Sequence, residues 1–207
     1  MLHLETVAPR TFAVLEKLMT IDALQAFNLV GGTALSLYYG HRTSIDLDLF
    51  CVDSFDNSKV INSVTKAFEN EFSERSSTNF GIFGFINDVK VDIVRFPHPI
   101  IRPTVTIEGI RMYSPEDIIA MKVQAILGRG KKKDFWDVAE LLNHFTVKDF
   151  IDLHKEKYST QNLYITVPQA ITYFDDAEDS EDPVSLNGLD WSDVKNIIGE
   201  HVRNYLA

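Results

Sequence analysis

Two aspartates one residue apart, Asp46 and Asp48, alternate with Ile45, Leu47 and Leu49 in the stretch Ser44–Val52. That is strand periodicity, and on a strand residues i and i+2 share a face, with a combined rise of roughly 6.6 Å. Two carboxylates so placed repel each other unless a cation sits between them. Oxygen ligands on a rigid strand suit Mg²⁺, which takes one or two protein carboxylates and leaves positions for phosphate oxygens and water. A solvated strand face is the other account of the same pattern. A third carboxylate weighs against it. In Lys90-Val91-Asp92-Ile93-Val94, the apolar Val89, Val91 and Ile93 share one face, and Lys90 and Asp92 share the other. If the two strands lie in one sheet, Asp92 joins Asp46 and Asp48. Three such carboxylates can hold two metals about 3.5–4 Å apart, an arrangement used for in-line phosphoryl transfer.

Upstream stands Gly31-Gly32-Thr33. Glycines where a strand turns into a helix let the backbone come close to a ligand, and the helix N-terminus offers free N–H groups to phosphate. Between glycines and aspartates lies His41-Arg42; Arg42 has the fork geometry to hold phosphate bidentately, and His41 orients the loop. Lys122 is out of place on its helix, because the positions three and four away are Ile118, Ile119, Ala125 and Ile126. A lysine on an apolar stripe either snorkels to an edge or meets an anion, and a nucleotide phosphate is one such anion. Asp134 and Asp137, three apart in RGKKKDFWD, share a helical face; Asp134 is equally placed to cap that helix. The basic run Arg129, Lys131, Lys132 and Lys133 is either a solvated turn or a docking surface for a polyphosphate or an RNA end. The histidines outside His41 show no metal-ligand spacing.

These groups need elements to position them. Pro9 to Met19 reads as an amphipathic helix, with a shorter one around Asp22–Ala26. Phe27–Val30 is a first strand running into the glycine turn, and Thr33–Tyr39 a short helix closed by Gly40. Ser44–Val52 is the next strand, and Ser58–Phe72 has helical spacing. Phe80–Ile86 and Val89–Phe96 form a hairpin across Asn87-Asp88, with a further strand at Val105–Ile107. Ser114-Pro115-Glu116-Asp117 opens a helix to about Leu127: a serine cap, proline in the first position and an acid three residues on. A second helix covers roughly Asp134–Phe145, and more fill most of Val147–Ala207. The division expected is an α/β core over residues 1–110 and a helical region over 111–207 packed on it.

The 207 residues are 45% hydrophobic and 24% charged, enough for a real core. No apolar run of about 18 residues suggests a membrane span, and MLHLETVAPRTF lacks the order of a signal peptide. The single cysteine, Cys51, excludes an internal disulfide framework and fits a reducing cytoplasm, so the expectation is a cytoplasmic protein with no membrane partner. Cys51 itself ends an apolar strand and reads as a small core residue. The net charge of −10 argues against sequence-blind affinity for nucleic acid while allowing a local basic site. Acids crowd into residues 175–182, a segment to which the sequence gives no role.

In this order the features resemble the nucleotidyltransferase superfamily whose fold is shared with DNA polymerase beta, and more narrowly its AbiEii/AbiGii toxin branch. The likeness rests on LVGGTALSLYYGHRTSIDLDLF, on VKVDIV, and on SPEDIIAMKVQAILGRGKKKDFWDVAELL, and extends loosely to ITYFDDAEDSEDP. It implies an α/β (α+β) core with a mixed sheet, followed by a helical C-terminal half. It also implies residue roles: Gly31, Gly32 and Thr33 on the nucleotide phosphates, and Asp46 and Asp48 on Mg²⁺. Asp92 would complete the metal site near the attacking hydroxyl, Lys122 would reach the triphosphate, and Asp134 and Asp137 would fall in the last family motif. The implied activity is transfer of NMP from an NTP to a hydroxyl acceptor such as tRNA, in a toxin with a protein antitoxin. A catalytically inactive nucleotide- or protein-binding module of the same fold is the alternative; less in keeping is a sugar-nucleotide glycosyltransferase, whose Asp-x-Asp would not need the Gly-Gly-Thr turn or Asp92.

Overall fold

The computed structural model describes the backbone of residues 1–207 and the side chains of all but Asn70. Helix α1 (Pro9–Met19) starts on a proline, whose missing N–H costs nothing in a first turn, and buries Val14, Leu15 and Leu18. Strand β1 (Asn28–Val30) leads directly into helix α2 (Gly31–Tyr39), which Gly40 closes in the left-handed conformation. Strand β2 (Leu47–Cys51) and helix α3 (Asn57–Phe68) follow, the helix capped by the Asp56 side chain. Then come β3 (Phe72–Thr78), β4 (Gly81–Ile86), β5 (Val89–Arg95), β6 (Val105–Ile107) and β7 (Ile110–Met112). The remainder is helical: α4 (Pro115–Gly128), α5 (Lys132–Leu141), α6 (Val147–Lys157), α7 (Val167–Ile171) and α8 (Trp191–Leu206).

The strands make one mixed seven-stranded sheet in the order β3-β4-β5-β2-β1-β7-β6. β2 runs parallel to β5 and antiparallel to β1, and β1 runs parallel to β7. Alternation decides the faces. Leu47, Leu49 and Cys51 of β2, with Val89, Val91 and Ile93 of β5, go into the core, leaving Asp48, Phe50 and Asp92 on the other side. The β4–β5 hairpin turns through Asn87 and Asp88 with φ 50° and 61°, the two positive values a type I′ turn requires. Ser114 caps α4 as its sequence predicts, its hydroxyl accepting from the Asp117 N–H at 3.1 Å.

Several boundaries differ from the sequence expectation. The Asp22 segment is a single 3₁₀ turn, Asp22–Leu24. The second strand begins at Leu47, not Ser44, because Thr43 and Ser44 give their N–H groups to the carbonyls of Val184 and Thr6. Asp46 therefore sits on the approach to β2. The glycines are the first residues of α2 rather than a turn before it, and the second C-terminal helix starts at Lys132. Among the described residues no helix is long and apolar enough to cross a membrane.

Candidate active site

The parallel register of β2 and β5 sets Asp48 directly beside Asp92. On its other side Asp48 pairs in register with Val30, the last residue of β1 before α2. The two strand carboxylates and the start of α2 thus meet at one place in the sheet. Gly31 has φ +71°, which a side chain resists, and a Cβ there would stand 3.0 Å from Asp48 Oδ2. The first-turn N–H groups of α2 have no side-chain cap, since Val30 occupies the N-cap position. Thr33 lies inward of this turn. Its hydroxyl donates to the Asp46 carbonyl and pairs with Ser44 Oγ at 2.8 Å, so it fixes the backbone that carries Asp46.

The three carboxylates have different surroundings. Asp92 Oδ2 accepts from Lys90 Nζ at 2.6 Å, while its Oδ1 is buried without a partner. Asp46 Oδ2 lies 3.6 Å from Lys133 Nζ. Burial pushes the Asp48 carboxyl upward, and the negative charges of Asp92 and Asp46 push it further, with Lys90 and Lys122 offsetting part of the shift. All three line a cavity of about 350 Å³ together with Gly31, Lys122 and Lys133; its far end is formed by Phe50, Phe96, Met121 and Tyr158. Among the described residues no three His, Cys, Asp or Glu side chains are already gathered around one metal position. The donor chemistry nonetheless fits Mg²⁺: hard carboxylate oxygens around one cavity, one of them unpartnered, and one carboxyl whose ionisation the neighbouring acids oppose.

Behind this cavity is a buried polar cluster. Lys122 is 5% exposed, and its ammonium lies 3.0 Å from Asp134 Oδ1 and 2.5 Å from Asp137 Oδ2. The anion that the lysine requires is supplied within the fold. Arg42 does not offer its fork outward: Nε and Nη2 donate to the two oxygens of Asp137 at 2.7 and 2.8 Å, and Nη1 donates to the Thr43 carbonyl. His41 Nε2 is 2.8 Å from the same carboxylate. Burial would raise Asp137, but Arg42 and Lys122 hold its carboxyl well below the usual range. Asp134 sits in the first turn of α5 rather than at its cap, which is Lys131; it is fully buried against Lys122. Gly32 serves this cluster too, since a Cβ there would come within 2.1 Å of Arg42 Nη2.

The basic run and the acidic segment meet at the edge of the site. Lys132 Nζ is 2.8 Å from Asp182, and its N–H donates to Ser180 Oγ. The Thr43 and Leu186 N–H groups donate to Val184 and His41 carbonyls, tying residues 184–186 to the loop before Asp46. A second cleft of about 510 Å³ opens here, between Ser44, Asp46, Lys131 and Lys133 on one side and residues 179–184 on the other. Sequence reasoning missed one pair. Asp117 and Lys157 are buried and 2.7 Å apart, and Asp117 also accepts from the Ile101 and Arg102 N–H groups. They pin the loop that follows β5. The available signal was a lysine four residues after Leu153 and seven after Phe150 on an apolar stripe, the same misfit that exposed Lys122. Cys51 is a core residue as expected, its thiol pushed up to about 11 by burial.

Residues 13–196 match a family described as the nucleotidyl transferase AbiEii toxin of a type IV toxin–antitoxin system. An uncharacterized protein of Aquifex aeolicus (strain VF5) is 30% identical over 200 residues, covering 93% of this chain and 94% of that one. Among solved structures, a candidate nucleotidyltransferase from H. pylori superposes with a TM-score of 0.61 at 21% identity, covering 95% of each chain. The nucleotidyltransferase toxin MenT4 from Mycobacterium tuberculosis H37Rv gives a TM-score of 0.58 at 10% identity, covering 94% of this chain and 84% of that one. At such identities the superpositions speak for the fold.

Proposed function

The chain belongs to the AbiEii nucleotidyltransferase toxin family, and from that premise we propose that it transfers NMP from an NTP to a hydroxyl of an RNA acceptor, tRNA included, with Mg²⁺ held by Asp46, Asp48 and Asp92. Nucleotidyl transfer, a nucleotide substrate and an antitoxin partner are what membership brings in general. The metal, the triphosphate and the RNA are the finer reading. One observation carries it: Asp48 and Asp92 stand in register on parallel strands beside the uncapped start of α2, and both carboxylates line one cavity with Gly31.

In this reading the first-turn N–H groups at Gly31 and Gly32 hold phosphate oxygens, and Thr33 keeps Asp46 in position. Lys122 presents positive charge at the cavity wall. Arg42, Asp134 and Asp137 act on the nucleotide through Lys122 and the α2 turn. The acceptor oxygen attacks the α-phosphorus, and the bond to the bridging oxygen breaks. Pyrophosphate leaves with that electron pair, and the hydroxyl proton passes to the Asp92 carboxylate. Bound Mg²⁺ supplies charge neutralisation for the phosphates and eases deprotonation of the hydroxyl. Lys131 and Lys133 supply positive charge at the adjoining cleft, opposite Asp179, Glu181 and Asp182.

Incubation with each labelled NTP and a total RNA pool tests this. Labelled RNA with the wild type and none with Asp48→Asn is the expected result; no labelled acceptor with any of the four nucleotides would overturn it.

A further inference from the structure

The cavity that holds the carboxylates continues into an apolar end that the transfer chemistry does not use. Phe50 lies two residues beyond Asp48 on the same face of β2, and Phe96 four residues beyond Asp92 just past β5. The two carboxylate-bearing strands thus each lead to an aromatic ring, with centroids 5.3 Å apart and planes at 37°. Met121 of α4 and Tyr158, at the end of α6, complete the wall. Tyr158 is 5% exposed, yet its hydroxyl has no hydrogen-bond partner among the described residues. That hydroxyl is closed off from the cavity, so Tyr158 contributes its ring to the wall. Phe96 is held in advance: the His98 ring packs 4.6 Å and Lys157 Nζ lies 5.7 Å from its centroid, and the Asp117–Lys157 pair pins the loop after it.

We propose that this aromatic end is the nucleobase subsite for the donor NTP, with Phe96 as the stacking platform. The proposal rests on the nucleotidyl-transfer reading. Asp48 and Phe50 are roughly 6.6 Å apart along β2, within a ribose's reach of the phosphate position. The cavity's volume falls in the range of small-molecule sites. The wider cleft on the other side of Asp46 is then left for the acceptor.

Calorimetry in Mg²⁺ buffer, with each NTP and with inorganic tripolyphosphate as the probe lacking a base, tests it. Phe96→Ala should weaken NTP binding about 5- to 100-fold, the range for loss of one base–aromatic stack, and leave tripolyphosphate unchanged. Phe96→Leu takes its place if the alanine variant does not fold. NTP affinity unchanged in the Phe96 variant removes the subsite; if Asp48→Asn still abolishes NTP binding, the transfer reading stands. A wild type that binds no NTP overturns both.

Discussion

Asp137 takes the fork of Arg42, the ring of His41 and the ammonium of Lys122 onto one fully buried carboxylate. Removing its charge strands the buried Arg42 guanidinium and leaves Lys122 with Asp134 alone, so Asp137→Asn should cost about 3–5 kcal/mol in urea denaturation. Its folded-state pKa is depressed, so its contribution is complete above the ordinary aspartate value of 3.8 and is lost as pH falls through the folded value. Wild-type stability should therefore drop below about pH 4, and the Asp137→Asn variant should lose that part of the dependence. Asp48 has the opposite sign. Burial and the charges of Asp92 and Asp46 raise it, so its ionised form opposes folding at neutral pH. Asp48→Asn should raise the thermal midpoint in EDTA, and Mg²⁺ should raise the midpoint of the wild type but not of the variant. An equal Mg²⁺ shift in both proteins would remove Asp48 from the metal site. The misfit of Lys122 was legible because Ile118, Ile119 and Ile126 crowd its helix face. Its partners were not, since spacing along α5 does not say which turn meets α4. Arg42 looked free for phosphate for the same reason.

At the level of elements, the Arg42 side chain couples the start of α2 to α5. A methyl group on Gly32 would displace the Arg42 guanidinium from Asp137, whereas one on Gly31 would strain the backbone and crowd Asp48. Gly32→Ala should thus behave as a core defect, losing about 1–3 kcal/mol of stability along with activity. Gly31→Ala should lose activity in the labelling assay with a smaller change, about 1 kcal/mol. Matched losses of stability in the two variants would break this distinction. The elements that carry the carboxylates were readable because each buries one face and leaves the other polar. β3 was not, because after Phe72 it is exposed on both faces and shows no apolar alternation. The β2 start was misplaced because Ile45, which completes the alternation in sequence, is 70% exposed.

At the scale of the whole molecule, the last strand, β7, ends at Met112. The interior does not divide there. Tyr113, Ile118, Ile119 and Val123 belong to the same buried cluster as Leu29, Leu35 and Met112. Polar ties cross as well: Asp137 to Arg42, Lys122 to the site cavity, Asp117 to the loop after β5, and residues 184–186 to the loop before Asp46. Because the candidate active site is assembled from both sides, a half that came apart would take its electrostatics with it. We therefore expect one cooperative unfolding transition. Both tryptophans, Trp136 and Trp191, lie in the helical half and stack at 5.6 Å, so their fluorescence reports that half alone. Far-UV circular dichroism reports the helices and the sheet together. The two signals should give the same urea midpoint, and residues 1–112 expressed alone should fail to fold, since α4 would no longer cover their core. A fluorescence midpoint separated from the dichroism midpoint, or a folded 1–112 fragment, would mean that the sheet and the helices are independent units.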